Sequence, residues 1–403
     1  MKILHTSDWH LGHTLYNYDR TAEQQSFLRQ LTRIVTEEQP DAMVVSGDIY
    51  HYSSPAAATQ KMYTDAMLNI HQACPEMTIV VTAGNHDSSS KLEIDSNLWQ
   101  HFGLNVVGNI ERTAEEVNLD KHIIEINNEK KTKGYVIAVP HVYPQNFPLL
   151  DTETPRDQRQ ARFFQALLDE VKKRNTAQLP VVLMAHLSIE GSDRSGHDES
   201  IGGIEYVPLS AMGEGYDYLA LGHIHCPQDI KGSHHHARYC GTPLSVSFDE
   251  TYPHSVSIIE LEKGAEPQIS TREIENPIPL VTLPHDPTPF EDALKLLEEY
   301  PEEKPAYLRL NVLTKGYLPP DCNEKASNAA KGKACKYCYI KTTRERQADT
   351  DESKPISIQE MQEMSPLEIA RLYYRETEGK EMDPELCQLM ETVMQKVKSK
   401  NNS

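Results

Sequence analysis

The chain has 403 residues, 38% of them hydrophobic, which is too long for one ordinary domain and suits two or three soluble globular ones. No run approaches the roughly 18 apolar residues of a membrane span, and no basic stretch leads into an apolar one as in a signal peptide. Seven unevenly spaced cysteines argue against a disulfide framework and for a reducing, cytoplasmic setting, while a net charge of −20 disfavours phosphate binding through Lys and Arg alone.

Up to about residue 262, short apolar runs alternate with amphipathic segments of helix length, the pattern of a layered α/β protein. Lys2 to His5 reads as a first strand, and Thr6-Ser7 turns the chain toward Asp8 and His10. Gln24 to Glu38 carries Phe27, Leu31, Ile34 and Val35 at helical spacing. Ala42 to Ser46 is a strand ending at Gly47-Asp48. A helix over Gln60 to Cys74 precedes the strand Thr78 to Thr82, which runs into Gly84-Asn85-His86-Asp87. Further on come a strand at Val136 to Val139, a helix at Gln160 to Arg174, and a strand at Val181 to Ala185 that ends at His186. Tyr216 to Leu221 leads into Gly222-His223-Ile224-His225, and Arg238 to Cys240 and Val256 to Leu261 read as closing strands.

After Lys263 the texture changes. Six prolines between 266 and 289 give a linker-like entry to a new unit. Glu291 to Tyr300 follows as an acidic helix, and Tyr307 to Leu313 and Lys336 to Thr342 as strands. Asp349 to Lys354 is a charged break. Beyond it, Met364, Leu367, Ile369, Leu372 and Tyr373 form one apolar stripe, and Leu386, Leu389, Met390 and Val393 another. Such stripes pack either on the chain's own domains or in a partner's groove, and the charged break before them favours the partner. There is no internal repeat and no extended low-complexity tract.

Metal-ligand residue types therefore sit at the C-terminal ends of five apolar strands, the edge where open α/β sheets place their sites. Asp8 and His10 are two apart and point the same way in extended backbone. A carboxylate beside an imidazole suits Mn, Fe or Zn. Asp48, with two oxygens, can bridge two cations. Asp8, His10 and His225 would complete one site, and Asn85, His186 and His223 the other, Asn85 offering a neutral oxygen. Two carboxylates offset half the charge of two dications and leave a positive centre matched to a phosphate. His86 is then placed to steady the phosphate or protonate the leaving oxygen. Singly, each histidine reads better as a core or surface residue; the ordered set does not. Cys335-Lys-Tyr-Cys338, with Cys322 nearby, has no second pair at ligand spacing and reads as strand cysteines. Ser233-His234-His235-His236 reads as a solvated turn.

With these motifs in order, the sequence resembles the calcineurin-like metallophosphoesterases, and within them the nuclease subunits of bacterial complexes with an SMC-type ATPase. The likeness is dense over about residues 1 to 262, through ILHTSDWHLG, GDIYHYSSP, GNHDSSSKL, FGLNVVG, IGGIEYVP, YDYLALGHIHCPQ and YCGTPLSVSFDE. It is looser in YLRLNVLTKGYLPPD and SPLEIARLYYRETEGKEMDPEL.

The resemblance implies a β-sandwich nuclease domain flanked by helices over residues 1–265, a small α+β capping domain over 266–350 and a helical partner-binding pair over 356–403. It implies two divalent ions, manganese in the first instance, and cleavage of DNA ends and hairpins in repair, recombination and replication. The expected partners are DNA and a coiled-coil ATPase, in a heterotetramer built on a homodimer of this chain, with no membrane. Carried over by position, the ligands and His86 keep the roles above, and His51 joins His86 as a second catalytic histidine. Arg20, Lys91 and Arg194, near the motifs, are candidate DNA contacts. A phosphoesterase for small esters, or a non-catalytic scaffold on the same fold, are the competing readings. The scaffold should lack ligands, and small-ester enzymes should lack the capping and helical regions.

Overall fold

Strands β1 (Lys2–Thr6), β2 (Ala42–Ser46) and β3 (Thr78–Thr82) are buried almost throughout, because both of their faces are covered. The computed structural model describes residues 1–344 except 113–116, 129–130, 152 and 196–205, and beyond them 367–371, 374, 382–383, 386–387 and 390. Side chains alternate between two cores. Ala42 and Val44 face a second sheet, whereas Met43 and Val45 face helices. Helix α1 (Thr21–Glu38) buries Phe27, Leu31, Ile34 and Val35, the expected stripe, and α2 (Ala57–Ala73) lies beside it. Two single-turn helices, α3 (Ser89–Leu92) and α4 (Ser96–Trp99), lead to β4 (Leu104–Val107).

The second sheet contains β5 (Ile123–Asn128), β6 (Lys131–Ala138), β7 (Val181–His186), β8 (Tyr218–Gly222), β9 (Gln228–Asp229) and β10 (Ala237–Tyr239), with α5 (Arg159–Arg174) on its outer face. With β11 (Ser255–Glu260) and β12 (Gln268–Glu273), the strand orders are β12-β11-β1-β2-β3-β4 and β5-β6-β7-β8-β10-β9. Val136, Ala138, Val182, Met184 and Ala220 of the second sheet meet Ile3, Val44 and Val80 of the first in a shared inner core. The fold is thus an α/β sandwich of two mixed sheets with helices outside. In both sheets the central strands run parallel, so their C-terminal ends open onto one edge.

The third sheet, β13-β14-β15, is parallel, from β13 (Leu280–Thr288), β14 (Tyr307–Thr314) and β15 (Lys336–Arg344). It packs with α6 (Phe290–Glu298) and α7 (Cys322–Ala330) around Leu294, Leu297, Leu308 and Leu310. The proline-rich stretch is more than a linker. It contributes β12 to the first sheet and β13 to the third, and the ladder of β13 breaks between Leu283 and Thr288, where Pro284 and Pro287 fall. Proline is tolerated on an edge strand at such an irregularity, having no N–H to offer a ladder. The sequence reading also passed over β4, β5 and α7. Cys322 and Cys335 lie in the apolar core of this unit and Cys338 in a separate cluster with Tyr307. His234 and His235 occupy a turn with positive φ, where His235 meets Asp229 at 2.7 Å.

Residues 1–344 pack as one unit. Of 345–403, positions 367–371, 374, 386–387 and 390 are helical, which takes in Leu367, Ile369, Leu386 and Met390. Asp349 to Lys354, Met364, Leu372, Tyr373, Leu389 and Val393 lie outside the described residues. No helix among the described residues is long and apolar enough to cross a membrane.

His122 shows what the inner packing does to a titratable group. It is buried, its Nδ1 donates to Ala138 O at 2.7 Å, its Nε2 has no partner, and its ring meets Phe163 edge-on. Burial pushes its pKa down from 6.5 to about 4, against the opposing pull of the carbonyl. The folded state holds the ring neutral while the unfolded chain binds a proton below pH 6.5. That contribution to stability is complete above 6.5 and is lost as pH falls toward 4, at roughly 1.4 kcal/mol per pH unit at most. In melts from pH 7 to 4.5, His122→Gln should start less stable and lose stability less steeply than the parent. Parallel curves would show that His122 is not the group responsible.

Candidate metal centre

Every expected ligand lies where a parallel strand ends. From the first sheet come Asp8 and His10 after β1, Asp48 after β2, and Asn85 with His86 after β3. From the second come His186, the last residue of β7, and His223 and His225 just beyond β8. The chain must turn sharply to aim these side chains along the edge. Asp8, His10, Asp48 and His223 all take positive φ, uncommon for residues with a Cβ and held here by surrounding hydrogen bonds. Asp8 N donates to Gly47 O at 3.0 Å and His10 N to Asp48 O at 3.0 Å, joining two ligand loops. Two glycines make the approach possible. A Cβ on Gly84 would lie 2.1 Å from Asp48 Oδ1, and one on Gly222 would lie 1.9 Å from Ser46 O.

The donors form two sets. His10 Nε2 and His225 Nε2 are 3.1 Å apart, with a carboxylate oxygen of Asp8 in the same cluster. Asn85 Oδ1 is 3.0 Å from His186 Nε2 and 3.0 Å from His223 Nδ1. Asp48 Oδ2 lies between the sets, 3.9 Å from His10 Nε2 and 3.4 Å from His186 Nε2. Two donors at right angles around one cation, each about 2.1 Å from it, stand about 3 Å apart. Those observed separations fit two divalent cations sharing Asp48. The ring tautomers fit as well. His186 Nδ1 donates to Ser46 O at 2.8 Å and His225 Nδ1 to Glu250 Oε1 at 2.8 Å, leaving each Nε2 to ligate.

Charge in the site is strongly coupled. Burial alone would raise the Asp48 carboxyl, but His186, His10 and His86 around it outweigh that and hold it well below the usual carboxylate range. Asp8 goes the other way, raised by burial and by Asp48 in spite of His186 and His225. His186 would be lowered by burial, yet Asp48 and Asp8 bring it up to about 9. The carboxylates thus favour protons on His186 and His225, whereas burial holds His10 well below its usual value. The first set is buried, whereas Asn85 is exposed and His223 partly so, which makes the second set the mouth of the site.

His86 and His51 sit beside the ligands. His86 N donates to Asp48 Oδ1 at 2.8 Å, and its Nδ1 lies 2.9 Å from His51 O. The two rings stack at 5.3 Å, and that of His86 meets His10 edge-on at 5.0 Å. Arg20 corrects an expectation. It is 2% exposed, pairs with Glu23 and donates to Ser245 O at 2.6 Å, so it cannot touch DNA. Lys91 is exposed, against Ser53 O and Ser54. Arg194 donates to Tyr206 Oη at 2.6 Å. Residues 201–205 of the IGGIEYVP segment lie outside the described residues.

Sequence reading missed the supports. Asp87, next to His86, accepts from Ile49 N, Tyr50 N and Gly84 N and so fixes both the Asp48 and Asn85 loops. Burial, together with Asp48, raises its pKa to about 6 despite those bonds. Glu250 orients His225, and His13 packs its ring on His51 at 4.6 Å. The available signal was an acidic residue at the end of a short motif, in GNHD and SFDE.

Glu250 gives a direct test of the donor set. Glu250→Gln should weaken binding of one of two Mn²⁺ ions about 10–100-fold, the usual effect of removing a carboxylate behind a ligating histidine. Calorimetric titration of the metal-free protein reads this, and an unchanged isotherm would remove His225 from the ligand set.

Comparison with known proteins gives the family. Residues 1–227 match the calcineurin-like phosphoesterase family, and residues 276–378 match the family described as type 5 capsule protein repressor C-terminal domain. The SbcD component of the nuclease SbcCD from Rhodobacter capsulatus is 33% identical over 309 residues, covering 74% of this chain and 75% of that protein. That of Escherichia coli K12 is 26% identical over 395 residues, covering 95% and 94%. That of Bacillus subtilis is 31% identical over 277 residues, covering 66% and 68%. With the family matched over more than half its length and a relative aligned across three quarters of both sequences, the chain belongs to the calcineurin-like phosphoesterases and, within them, to the SbcD family.

Proposed function

We propose that this chain is the nuclease subunit of an SbcCD-type complex, a manganese-dependent enzyme that hydrolyses phosphodiesters at DNA ends and hairpins. The observation that carries the reading is the complete pair of donor sets around Asp48 with His86 and His51 beside them. A scaffold has no need of such a set. Two divalent cations bound there would lower the pKa of water and balance charge developing at phosphorus.

The chain's own residues do the rest. Asp8, His10, Asp48 and His225 would hold one ion, and Asp48, Asn85, His186 and His223 the other. The exposed Asn85 and the half-buried His223 mark the side from which a phosphodiester enters. His86 is fixed by its backbone bond to Asp48 and by Nδ1 against His51 O, so that its imidazolium form carries the second proton on Nε2, where it can meet a phosphate oxygen or pass to the leaving group. His51 supports that ring by stacking. Residues 266–350 cap the nuclease part, and 356–403 grip the base of an SbcC-type coiled-coil ATPase that gates access to DNA. The working assembly is a heterotetramer on a homodimer of this chain, acting in the cytoplasm in DNA repair, recombination and replication. The acid excess fits a protein that takes its DNA through bound cations and a partner.

The test is the purified chain with end-labelled duplex DNA and with bis(p-nitrophenyl) phosphate. Mn²⁺ should support loss of the label and a chelator should stop it. Asp48→Asn should lower both activities by more than the 10–100-fold expected from loss of a supporting residue, with little change in melting. Ester turnover without DNA cleavage, even with the ATPase added, would favour a small-ester phosphoesterase. A fully active Asp48→Asn would sink the two-metal assignment.

A further inference from the structure

The third sheet reaches both loops that carry the buried donor set, and does so from one strand. Tyr307 and Arg309, two apart on β14, are 0% and 5% exposed although one is phenolic and the other charged. Their side chains share a face and reach out of the third sheet to Glu23 and Asp249.

Tyr307 Oη donates to Glu23 Oε1 at 2.6 Å. Glu23 pairs with Arg20, whose Nη1 donates to Ser245 O and lies 3.3 Å from His13 Nδ1. The neighbouring Gln24 accepts from Gly12 N at 3.0 Å and donates to His13 O at 3.2 Å, clamping the turn that follows His10. Arg309 Nη1 donates to Asp249 Oδ1 at 2.7 Å, and Lys341 Nζ to the same oxygen at 3.1 Å. The guanidinium lies over the Phe248 ring at 5.2 Å and within 5.9 Å of Tyr339. The next residue is Glu250, whose carboxylate receives His225 Nδ1 and Val246 N. The two routes meet in segment 245–250, Arg20 holding its start and Arg309 its end.

His10 and His225 belong to the same donor set. The other set has anchors outside these two routes, with His186 tied to Ser46 O inside the sandwich, the Asn85 loop pinned by Asp87 and His223 N donating to Asp8. We propose that Tyr307 and Arg309 are positioning residues that set metal affinity at the Asp8–His10–His225 site and not at the Asn85–His186–His223 site. The inference rests on the two-metal reading. It makes the third sheet a regulator of one ion: a shift of β14 loosens His10 and His225 together and leaves the mouth of the site intact.

Calorimetric titration of Mn²⁺ into the metal-free full chain tests it without an activity assay. The parent should bind two ions. Arg309→Ala should weaken one event about 10–100-fold, the size seen when a ligand's support is removed, and keep the other within about twofold. Asp249→Asn, at a half-exposed position that does not threaten folding, should reproduce this, and Tyr307→Phe should weaken the same event. The event left unchanged controls for general damage. Both events weakened equally, or neither weakened in any variant, would overturn the inference while two ions in the parent keep the two-metal reading. Fewer than two ions in the parent would overturn that reading, and this inference with it.

Discussion

Two carboxylates at the seam between the sheets, Asp8 and Asp48, are 0% and 2% exposed and set the terms for everything around them. A buried carboxylate is costly unless cations or donors surround it. The backbone supplies part of what is needed: His223 N points at both oxygens of Asp8, and His86 N at Asp48. Imidazoles supply the remainder. That requirement explains the positive φ values, since loops must curl inward to bring N–H groups to bear, and it explains glycines where a methyl group would collide with a carboxylate or a carbonyl.

The two ligand sets differ in environment more than in chemistry. One is sealed beneath the 245–250 segment and the turn after His10, and the other opens to solvent through Asn85 and His223. An ion in the sealed set would be held by supports several residues deep, while an ion at the mouth would lie beside the solvent-facing Asn85. Asp48 lies between the two sets.

Much of this was legible in the sequence. Asp8, His10, Asp48, Asn85, His186, His223 and His225 each follow an apolar strand, and a strand's end is a local property. Phe27, Leu31, Ile34 and Val35 gave away α1 for the same reason. What could not be read depends on distant partners. Glu250 looks like any acid in a loop until His225 arrives from 25 residues away, and Arg20 looks like a surface cation until Glu23 and Ser245 O enclose it. The strands hidden in the proline-rich stretch were masked because proline advertises a break, whereas here the break lies inside β13 and the flanking residues still pair.

The spread of the ligands along the chain bears on how the protein is made. Asp8, His10, Asp48 and Asn85 are synthesised early, and all lie in the first sheet. His186, His223 and His225 come more than a hundred residues later, on the second. A ribosome stalled inside α5, or a protease cutting there, would leave a fragment with four donors on one wall and none facing them across the gap. For a phosphodiester hydrolase, this ordering works as a built-in delay. The full set of donors comes together only once both walls of the sandwich have emerged and closed on each other.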